Sequence, residues 1–259
     1  MTHTRWLRYR LDGLDAFGTL VDDQVHEHRG DFFGDNAPTG RSVPLSRVQV
    51  LMPVQPTKVI ALWNNFGQLR EKLRAALPEE PLYLLKSPNS WSAHRDAIPL
   101  PRGGNGGGKV AFEGELGIVI GKRCSAATES DAMAHVFGYT CGNDVTASDI
   151  LFRDASFPQW TRAKGLDGFC PLGPVVATGL DATALRVRTL LDGQVRQDYP
   201  ISDMTFSVAQ LVSRISLDMT LLPGDVILCG TSVGVGSMKP GSLVEVEIDG
   251  IGRLANRYG

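Results

Sequence analysis

The sequence has few cysteines, and none of them has the paired spacing that holds metals or disulfides. Its four cysteines, Cys124, Cys141, Cys170 and Cys229, lie far apart, and no Cys-x-x-Cys pair occurs. A cysteine-based zinc site or a small disulfide framework depends on such closely spaced pairs. We therefore predict free, buried thiols in a reducing compartment, with the cytoplasm as the expected location.

A charge excess and a long apolar run are also missing. The formal net charge is −2 at pH 7, which gives no basic face for a nucleic acid. Apolar runs fall well short of the roughly 20 residues that cross a membrane as a helix. Residues 1–10 lack the apolar segment of a secretory signal. We expect neither a nucleic acid nor a membrane as partner.

The composition is that of an ordinary globular protein. The chain has 259 residues, of which 42% are hydrophobic and 21% charged. This length suits one large domain, or one domain with a small appendage. Pro53 and Pro56 favour an extended linker between the two parts. We predict a small N-terminal domain over residues 1–54 and a larger domain over residues 55–259.

The hydrophobic pattern predicts many strands and few helices. Residues 59–62 and 82–85 are short apolar runs typical of buried strands, and residues 243–248 alternate as in a half-solvated strand. Residues 68–77 and 207–215 have helical spacing, with Leu69, Leu73 and Leu77 as the expected apolar stripe of the first. Because strands dominate, the predicted fold class is α+β with a β-rich core.

Several shorter patterns complete this prediction. Thr128 resembles the cap of a further helix, which we expect Gly138 to end, and Ser207 with Gln210 resembles a capping box. The glycine-rich stretch at residues 103–108 lacks the spacing and the Lys-Ser/Thr ending of a phosphate-binding loop. We interpret it as a flexible surface loop.

Two glutamates share one face of a predicted strand over residues 112–120. Side chains alternate along a strand, so Glu113 and Glu115 point the same way while Leu116, Ile118 and Ile120 face a core. Two like charges at a buried strand repel each other and are costly to desolvate. A divalent cation relieves both costs, because carboxylate oxygens are the ligands of hard ions. Taken alone, the pair also fits solvated glutamates on an edge strand.

Further motifs follow the two glutamates along the chain. They are Asn143-Asp144, Gln159 to Lys164, Asp167 to Pro174, Asp192-Gly193-Gln194 and Pro223 to Thr231. The order of these motifs resembles the fumarylacetoacetate hydrolase superfamily, from the predicted strand at 59–62 almost to the C-terminus. The first fifty residues resemble that family's small leading domain. The superfamily includes hydrolases, oxaloacetate decarboxylases and tautomerases, and isomerase/decarboxylases of homoprotocatechuate breakdown.

The resemblance implies a mixed β-sandwich roll with a small N-terminal β domain, usually as a homodimer with one Mg²⁺ or Mn²⁺ in each active site. The family's metal carboxylates fall on Glu113, Glu115 and Asp144. Its active-site lysine falls on Lys164, and its loop threonine falls on Thr231, after Gly230. Asp144 alone, following an asparagine, would more simply be a turn residue.

This set of residues fits the chemistry of 2-oxo acids. Three carboxylates leave about three octahedral positions of a hard ion for water or substrate. The ion acts as a Lewis acid on the oxo group, an effect of several kcal/mol on a developing enolate. We predict that Lys164 stabilises that charge or passes a proton, and that Thr231, Gly230 and nearby amides bind the substrate carboxylate.

The sequence departs from the hydrolases of the family at three positions. Leu69 occupies the place of the lid histidine that acts as general base for water, and leucine cannot move a proton. Ser148 and Leu151 stand where the hydrolases have an arginine and a glutamine. These changes favour isomerase/decarboxylase chemistry on small 2-oxo or 2-hydroxy-dienoic diacids, in aromatic-compound catabolism.

The lid segment supplies further candidates. We predict that Asn65 and Gln68 contact the substrate and that Glu71, or its neighbour Lys72, supplies a proton. Two alternatives remain open at this point. One is a C–C bond hydrolase of the acylpyruvate or fumarylacetoacetate type, and the other is a member that binds metal or ligand without catalysis.

Overall fold

The computed structural model describes residues 3–102 and 108–259, and these form mostly strands with a few short helices. The predicted glycine-rich loop at 103–108 lies almost entirely outside the described residues. The strands are β1 Thr4–Leu11, β2 Leu14–Val21, β3 Gln24–Gly30, β4 Asn36–Pro44, β5 Gln49–Val50, β6 Val59–Trp63, β7 Leu82–Lys86, β8 Trp91–Ser92, β9 Val110–Phe112, β10 Gly114–Ile120, β11 Val136–Asn143, β12 Thr146–Ala147, β13 Cys170–Thr178, β14 Arg186–Leu191, β15 Gln194–Pro200, β16 Val226–Leu228, β17 Gly236–Met238, β18 Leu243–Ile248 and β19 Gly252–Arg257. The α-helices are α1 Gly67–Leu73, α2 Glu129–Ala132, α3 Ser148–Leu151, α4 Trp160–Lys164 and α5 Val208–Asp218. Single 3₁₀ turns occur at Leu45–Arg47, Pro88–Ser90, Met133–His135, Ala182–Ala184 and Ile201–Asp203.

One large sheet runs through both parts of the chain. Its strand order is β4-β3-β2-β1-β13-β11-β10-β16-β6-β7. The N-terminal hairpins join it where β1 pairs antiparallel with β13, with Thr4 opposite Thr178. Residues on both sides of the predicted boundary at residue 54 therefore share one sheet, and the division into two domains stays a prediction.

Two smaller sheets complete the strand arrangement. A four-stranded sheet has the order β15-β14-β18-β19, and a three-stranded sheet has the order β12-β9-β17. Val187, Val246 and Ile248 of the four-stranded sheet share a buried apolar cluster with Leu116 and Ile118 of the large one. Strands β10 and β18 thus contribute to one core, as their alternating apolar residues require.

The strand that carries Glu115 lies in the middle of the large sheet. Strand β10 is buried along its whole length and pairs antiparallel with β11 on one side and β16 on the other. The predicted single strand over 112–120 is wrong at one point, because Glu113 separates β9 from β10. Its N–H donates to the Asn143 side chain at 3.0 Å, and its carbonyl accepts from the Asp144 N–H at 2.9 Å.

The predicted helix starts are confirmed, and one predicted helix end is wrong. Ser207 and Gln210 form the capping box of α5, whose Leu211 is fully buried. Thr128 caps α2 by accepting from the Asp131 N–H, but this helix gives way to a 3₁₀ turn after Ala132. Gly138 lies in β11 and does not end the helix. A Cβ at Gly138 would be 2.3 Å from the carbonyl oxygen of Ala177 on the neighbouring strand, so close strand packing explains that glycine.

The first helix is shorter and more exposed than predicted. Helix α1 ends at Leu73, because Arg74 adopts a left-handed conformation with φ of 52°. The Asn64 side chain then donates to the carbonyl of Ala76 and holds the chain outside the helix. Leu73 and Leu77 are 50% and 65% exposed, so the expected apolar stripe does not pack into the core.

Strand β7 is an edge strand, although its apolar run predicted a buried one. It forms the end of the large sheet and pairs only with β6 along the described sheet order. Leu82 and Leu85 are 41% and 49% exposed. The short run of apolar residues did not distinguish a central strand from an edge.

Two other sequence predictions, on the cysteines and on strand β18, are confirmed. The four cysteines are free and buried. Strand β18 alternates buried and half-buried residues as predicted. Among the residues that the structure describes, no helix is long and apolar enough to cross a membrane.

His94 lies half-buried near the C-terminal strand β19 and accepts a hydrogen bond from the Ala255 N–H through Nδ1 at 3.1 Å. Burial, together with the charge of Arg95, lowers the pKa of His94 from 6.5 to about 4. The unfolded chain therefore binds more protons than the folded one between these two values, and stability falls as the pH falls through that window.

We expect His94→Asn to reduce this loss of stability, because the asparagine oxygen can accept the same hydrogen bond without titrating. Between pH 7 and pH 5, the free energy of unfolding of the native protein should fall by about 1 kcal/mol more than that of the variant, after allowance for partial exposure. Urea denaturation at pH 7 and at pH 5 measures the free energy of unfolding of the native protein and of the variant. Parallel pH dependence in the two proteins would contradict this assignment.

Candidate active site

Three carboxylates from distant parts of the chain meet at one end of strand β10. Glu113 precedes β10, Glu115 lies on it, and Asp144 follows β11. One ligand oxygen from each lies within 4.8 Å of the others. The register explains the meeting, because Gly114 pairs with Asn143 and so brings Asp144 beside Glu113. Glu115 and Asp144 are fully buried.

The residue between the two glutamates has to be glycine. A Cβ at Gly114 would lie 2.0 Å from the hydroxyl of Thr189 on β14, which packs over this point. The Glu-Gly-Glu pattern thus follows from a close approach of two sheets at the cluster. A larger residue would push the strands apart where the two carboxylates have to converge.

Lys164 reaches the cluster from helix α4. Its side chain is 4% exposed, and Nζ lies 2.9 Å from Glu113 Oε2 and 2.5 Å from Asp144 Oδ2. Burial alone would lower the pKa of this lysine, but Asp144 and Glu113 raise it above its ordinary value. The side chain is therefore an ammonium that bridges two of the three carboxylates.

A second lysine, Lys86, was missed in the sequence. It ends strand β7, its side chain is fully buried, and Nζ lies 2.6 Å from Asp144 Oδ1. It also donates to the carbonyl of Phe169 at 3.0 Å. The available signal was a lysine placed directly after four apolar residues of a predicted strand, since a buried lysine requires a partner.

The two lysines give Asp144 and Glu115 different environments. Burial tends to raise the pKa of Asp144, but Lys164 and Lys86 on its two oxygens lower it below the usual range. Burial raises the pKa of Glu115 well above the usual range, and Asp144 and Glu113 add to that shift. Two neighbouring carboxyls thus differ because the lysines contact only one of them.

Glu115 carries the observation that favours a cation. Its Oε2 accepts the Gly230 N–H at 2.8 Å. Its Oε1 is buried and has no hydrogen-bond partner within the described ranges. A buried carboxylate oxygen without a donor is costly, and a divalent ion between three carboxylates would satisfy it. The donor set, which is oxygen only, fits Mg²⁺ or Mn²⁺.

Thr146 is another contact that the sequence analysis did not single out as a site residue. Its hydroxyl donates to Glu113 Oε1 at 2.7 Å and is also 3.1 Å from the Asp144 carbonyl. Thr146 thus orients the Glu113 carboxylate through Oε1, while Lys164 contacts Oε2 of the same carboxylate. Thr146 is the first residue of the segment that contains Ser148 and Leu151.

The predicted substrate loop already has partners inside the protein. Gly230 has a φ of 88° and uses its N–H on Glu115. The Thr231 hydroxyl donates to the Gly114 carbonyl at 3.0 Å and accepts from Gln197 Nε2 at 2.8 Å. The loop therefore lies directly against the carboxylate cluster, and its polar groups would have to exchange partners to bind a ligand.

Two family models match this chain. The family model for the fumarylacetoacetate (FAA) hydrolase C-terminal domain matches residues 58–258. The chain belongs to the fumarylacetoacetate hydrolase family. A second family model, Rv2993c-like N-terminal, matches residues 4–53. Together they account for nearly all of the sequence.

Several similar proteins carry isomerase, tautomerase or decarboxylase names, and one similar structure, from Exiguobacterium antarcticum, carries the name fumarylacetoacetate hydrolase. The crystal structure of a 5-carboxymethyl-2-hydroxymuconate delta-isomerase from Mycobacterium smegmatis is 39% identical, with a TM-score of 0.89 over 98% of both chains. The oxaloacetate tautomerase YisK of Bacillus subtilis is 35% identical over 83% of this chain and 74% of its own. The 4-hydroxyphenylacetate degradation bifunctional isomerase/decarboxylase of Salmonella dublin is 36% identical over 77% of this chain and 46% of its own length.

The predicted lid residues lie on and around helix α1. Leu69 is half-buried there, and Gln68 and Glu71 are exposed. The helix is held to the 3₁₀ turn Ile201–Asp203 through the Gln68 N–H, which donates to Asp203 Oδ2 at 3.0 Å. Within the part of the chain that the structure describes, neither Gln68 nor Glu71 hydrogen-bonds to the carboxylate cluster, so the roles of these two residues stay predictions.

Asn65 has a structural task in this arrangement. Its Nδ2 donates to the Cys229 carbonyl at 2.9 Å, and its Oδ1 accepts the Phe206 N–H at 3.0 Å. The first of these bonds fixes the peptide that precedes Gly230 and thereby aims the Gly230 N–H at Glu115. The predicted substrate contact of Asn65 remains untested, and both ends of its amide are already engaged with backbone.

The two other departures from the hydrolases lie on helix α3. Leu151 is buried, and Ser148 is half-buried with its N–H donating to the Lys109 carbonyl at 2.8 Å. Nearby, Trp160 of α4 packs on Trp63 with ring centroids 5.4 Å apart. That packing anchors the helix that delivers Lys164.

We expect Lys86→Met to destabilise the protein strongly. The substitution keeps the length of the side chain but removes the charge that offsets buried Asp144. Breaking a buried ion pair on one side costs about 3 kcal/mol or more of the free energy of unfolding. Urea denaturation in the presence of EDTA measures this loss of stability without any contribution from bound metal.

Lys122→Met is the matched control, since Lys122 is exposed. Its effect should stay within about 0.5 kcal/mol. Equal stabilities for the two variants would mean that Lys86 does not offset the charge of Asp144.

Proposed function

We propose that this protein is a divalent-metal-dependent enzyme that acts on small 2-oxo or 2-hydroxy-dienoic diacids through an enolate, as an isomerase/decarboxylase of aromatic-compound catabolism. The observation that carries the proposal is the meeting of three carboxylates and Lys164 around the unsatisfied oxygen of Glu115. The isomerase, tautomerase and decarboxylase names of similar proteins support it.

Glu113, Glu115 and Asp144 would hold the ion, with Mg²⁺ as the first choice and Mn²⁺ as a substitute. When bound, such an ion supplies Lewis-acid polarisation of a substrate oxygen, worth several kcal/mol. The protein holds the three carboxylates in place through Thr146, Gly230 and the two lysines. We also expect a cytoplasmic homodimer that acts on small molecules.

Lys164 supplies positive charge at the reacting end of the site. In the folded protein its ammonium donates to Glu113 and Asp144. An ammonium can hold the negative oxygen of an enolate and can deliver a proton to it. We therefore assign charge stabilisation and proton donation to Lys164, with Thr231 and Gly230 contacting the substrate carboxylate.

The reactions that fit this site need no activated water. In decarboxylation of a 2-oxo diacid such as oxaloacetate, the bond to the leaving carboxylate breaks and its electron pair passes to the enolate. CO₂ departs, and a proton then adds to carbon. Isomerisation only moves a proton between carbon and oxygen. Hydrolysis of a C–C bond would need a base for water at position 69, where this chain has leucine.

The proposal predicts metal-dependent turnover of selected diacids. The purified protein is treated with EDTA and assayed by ultraviolet absorbance on oxaloacetate, an acylpyruvate and a hydroxymuconate-type diacid, with and without Mg²⁺. We expect turnover of oxaloacetate or the hydroxymuconate only with Mg²⁺, and little cleavage of the acylpyruvate. Glu113→Gln should lower kcat/KM at least 100-fold, because a negatively charged ligand of the ion becomes a neutral amide.

Three results would contradict the proposal. They are turnover without any divalent ion, full activity in Glu113→Gln, and preferential cleavage of the acylpyruvate, which would indicate a C–C hydrolase. Binding of oxalate without turnover of any substrate would indicate a catalytically silent member.

Glu71 provides a separate prediction about proton supply. It is exposed on α1 and is the nearest acidic residue in the sequence to the missing lid histidine. If it delivers the proton to carbon, Glu71→Gln should lower kcat about ten- to 100-fold and leave KM nearly unchanged. Glu79→Gln, at an exposed position outside the helix, is the control. An unchanged kcat in Glu71→Gln would exclude this role.

A further inference from the structure

The peptide between the two glutamates is held by side chains from distant strands. The Gly114 N–H donates to Gln197 Oε1 at 3.0 Å. The Gly114 carbonyl accepts from the Tyr199 hydroxyl at 2.5 Å and from the Thr231 hydroxyl at 3.0 Å. Gln197 and Tyr199 lie two residues apart on β15 and thus face the same side of the strand. The N–H and the carbonyl of Gly114 are therefore both held, by side chains of the four-stranded sheet and by Thr231 of the loop after β16.

Gln197 also contacts the loop that carries Thr231. Its Nε2 lies 2.8 Å from Thr231 Oγ1, 3.1 Å from the Ser232 carbonyl and 3.4 Å from the Val233 carbonyl. The residue is 1% exposed, so water does not compete for these bonds. One amide group therefore accepts from the backbone between the carboxylates and donates to the proposed substrate loop.

Few side chains can accept a hydrogen bond from the Gly114 N–H and donate to the Thr231 loop at the same time. Among uncharged side chains, only an amide presents an acceptor and two donors on one rigid plane, and asparagine is one methylene shorter than glutamine. The exposed neighbours Arg196 and Asp198 do not face this interior. The chemistry of the position therefore calls for glutamine itself.

We propose that Gln197 is a positioning residue that fixes the spacing between the Glu113–Glu115 pair and the Thr231 loop, and so couples binding of the ion to binding of the substrate carboxylate. The inference rests on the proposed function, because it takes the carboxylates as ion ligands and the loop as the substrate side. Gln197 itself contacts neither ligand. Groups that orient metal ligands in this way typically change metal affinity about ten- to 100-fold when they are removed.

The experiment compares two dissociation constants in four proteins. Mn²⁺ alone is titrated into metal-free protein, with free Mn²⁺ followed by electron paramagnetic resonance. Oxalate is then titrated into the Mn²⁺-loaded protein by calorimetry. The proteins are the native chain, Gln197→Met, Tyr199→Phe and Gln194→Met. Gln194 is exposed on the same strand and serves as the control.

Gln197→Met should weaken binding of both Mn²⁺ and oxalate about ten-fold or more, because it releases Gly114 and the loop together. Tyr199→Phe should weaken binding of Mn²⁺ more than binding of oxalate, because its hydroxyl donates to the Gly114 carbonyl while Gln197 holds the loop. Gln194→Met should change neither constant. Thermal unfolding of the metal-free proteins confirms that each variant is folded.

The inference would be overturned if folded Gln197→Met bound Mn²⁺ and oxalate with the dissociation constants of the native chain. It would also be overturned if Gln194→Met lost as much affinity as Gln197→Met. If Gln197→Met does not fold, Gln197→Asn replaces it, since its amide is too short to span both partners, and the same two constants decide. A native chain that binds no Mn²⁺ would overturn the proposed function, and the inference with it. Native binding with unchanged constants in the variant would overturn the inference alone.

Discussion

Burial of Glu115 and Asp144 beside the partly buried Glu113 is the constraint on which the rest of the site depends. Placing Glu115 and Asp144 out of water beside Glu113 is unfavourable unless positive charge is near. Lys86 and Lys164 supply that charge. Both form ion pairs with Asp144, and only Lys164 also forms one with Glu113. Glu115 is left with a single backbone donor. The site is thus built with a deficit of positive charge on one side, which is where a cation fits.

The fold meets this constraint by using elements that are distant in the chain. The carboxylates come from neighbouring strands of the large sheet, Lys86 ends the edge strand, and Lys164 arrives on a short helix anchored by Trp160. The four-stranded sheet closes over Gly114, where only a glycine fits. Each of these elements would be unremarkable alone. Together they fix three carboxyl groups and two lysines in one connected cluster centred on Asp144.

Much of this site could be predicted from the sequence, for physical reasons. Glu113 and Glu115 were paired by strand alternation although Glu113 lies just outside β10, Asp144 was added only by the family resemblance, and the structure brings the three together. Lys86 was missed, because a lysine at the end of an apolar run looks like an ordinary solvated end until a partner is known. Leu73, Leu77 and Leu85 were misjudged because apolar spacing indicates which residues share a face but not whether another element covers that face. The role of Gln197 depends on contacts to residues 83 and 34 positions away in the sequence, which no local pattern contains.

The pairing of β1 with β13 has a further consequence for the way the chain is put together. Residues 176–178 of β13 lie between β1 and β11, while Cys170 and Pro171 of the same strand pair with β8. Without residues 1–54, the end of β13 at residues 176–178 would present open N–H and C=O groups to solvent. Open strand edges of this kind recruit strands from other molecules. The leading segment covers this end of β13, and β4 becomes the edge of the large sheet in its place.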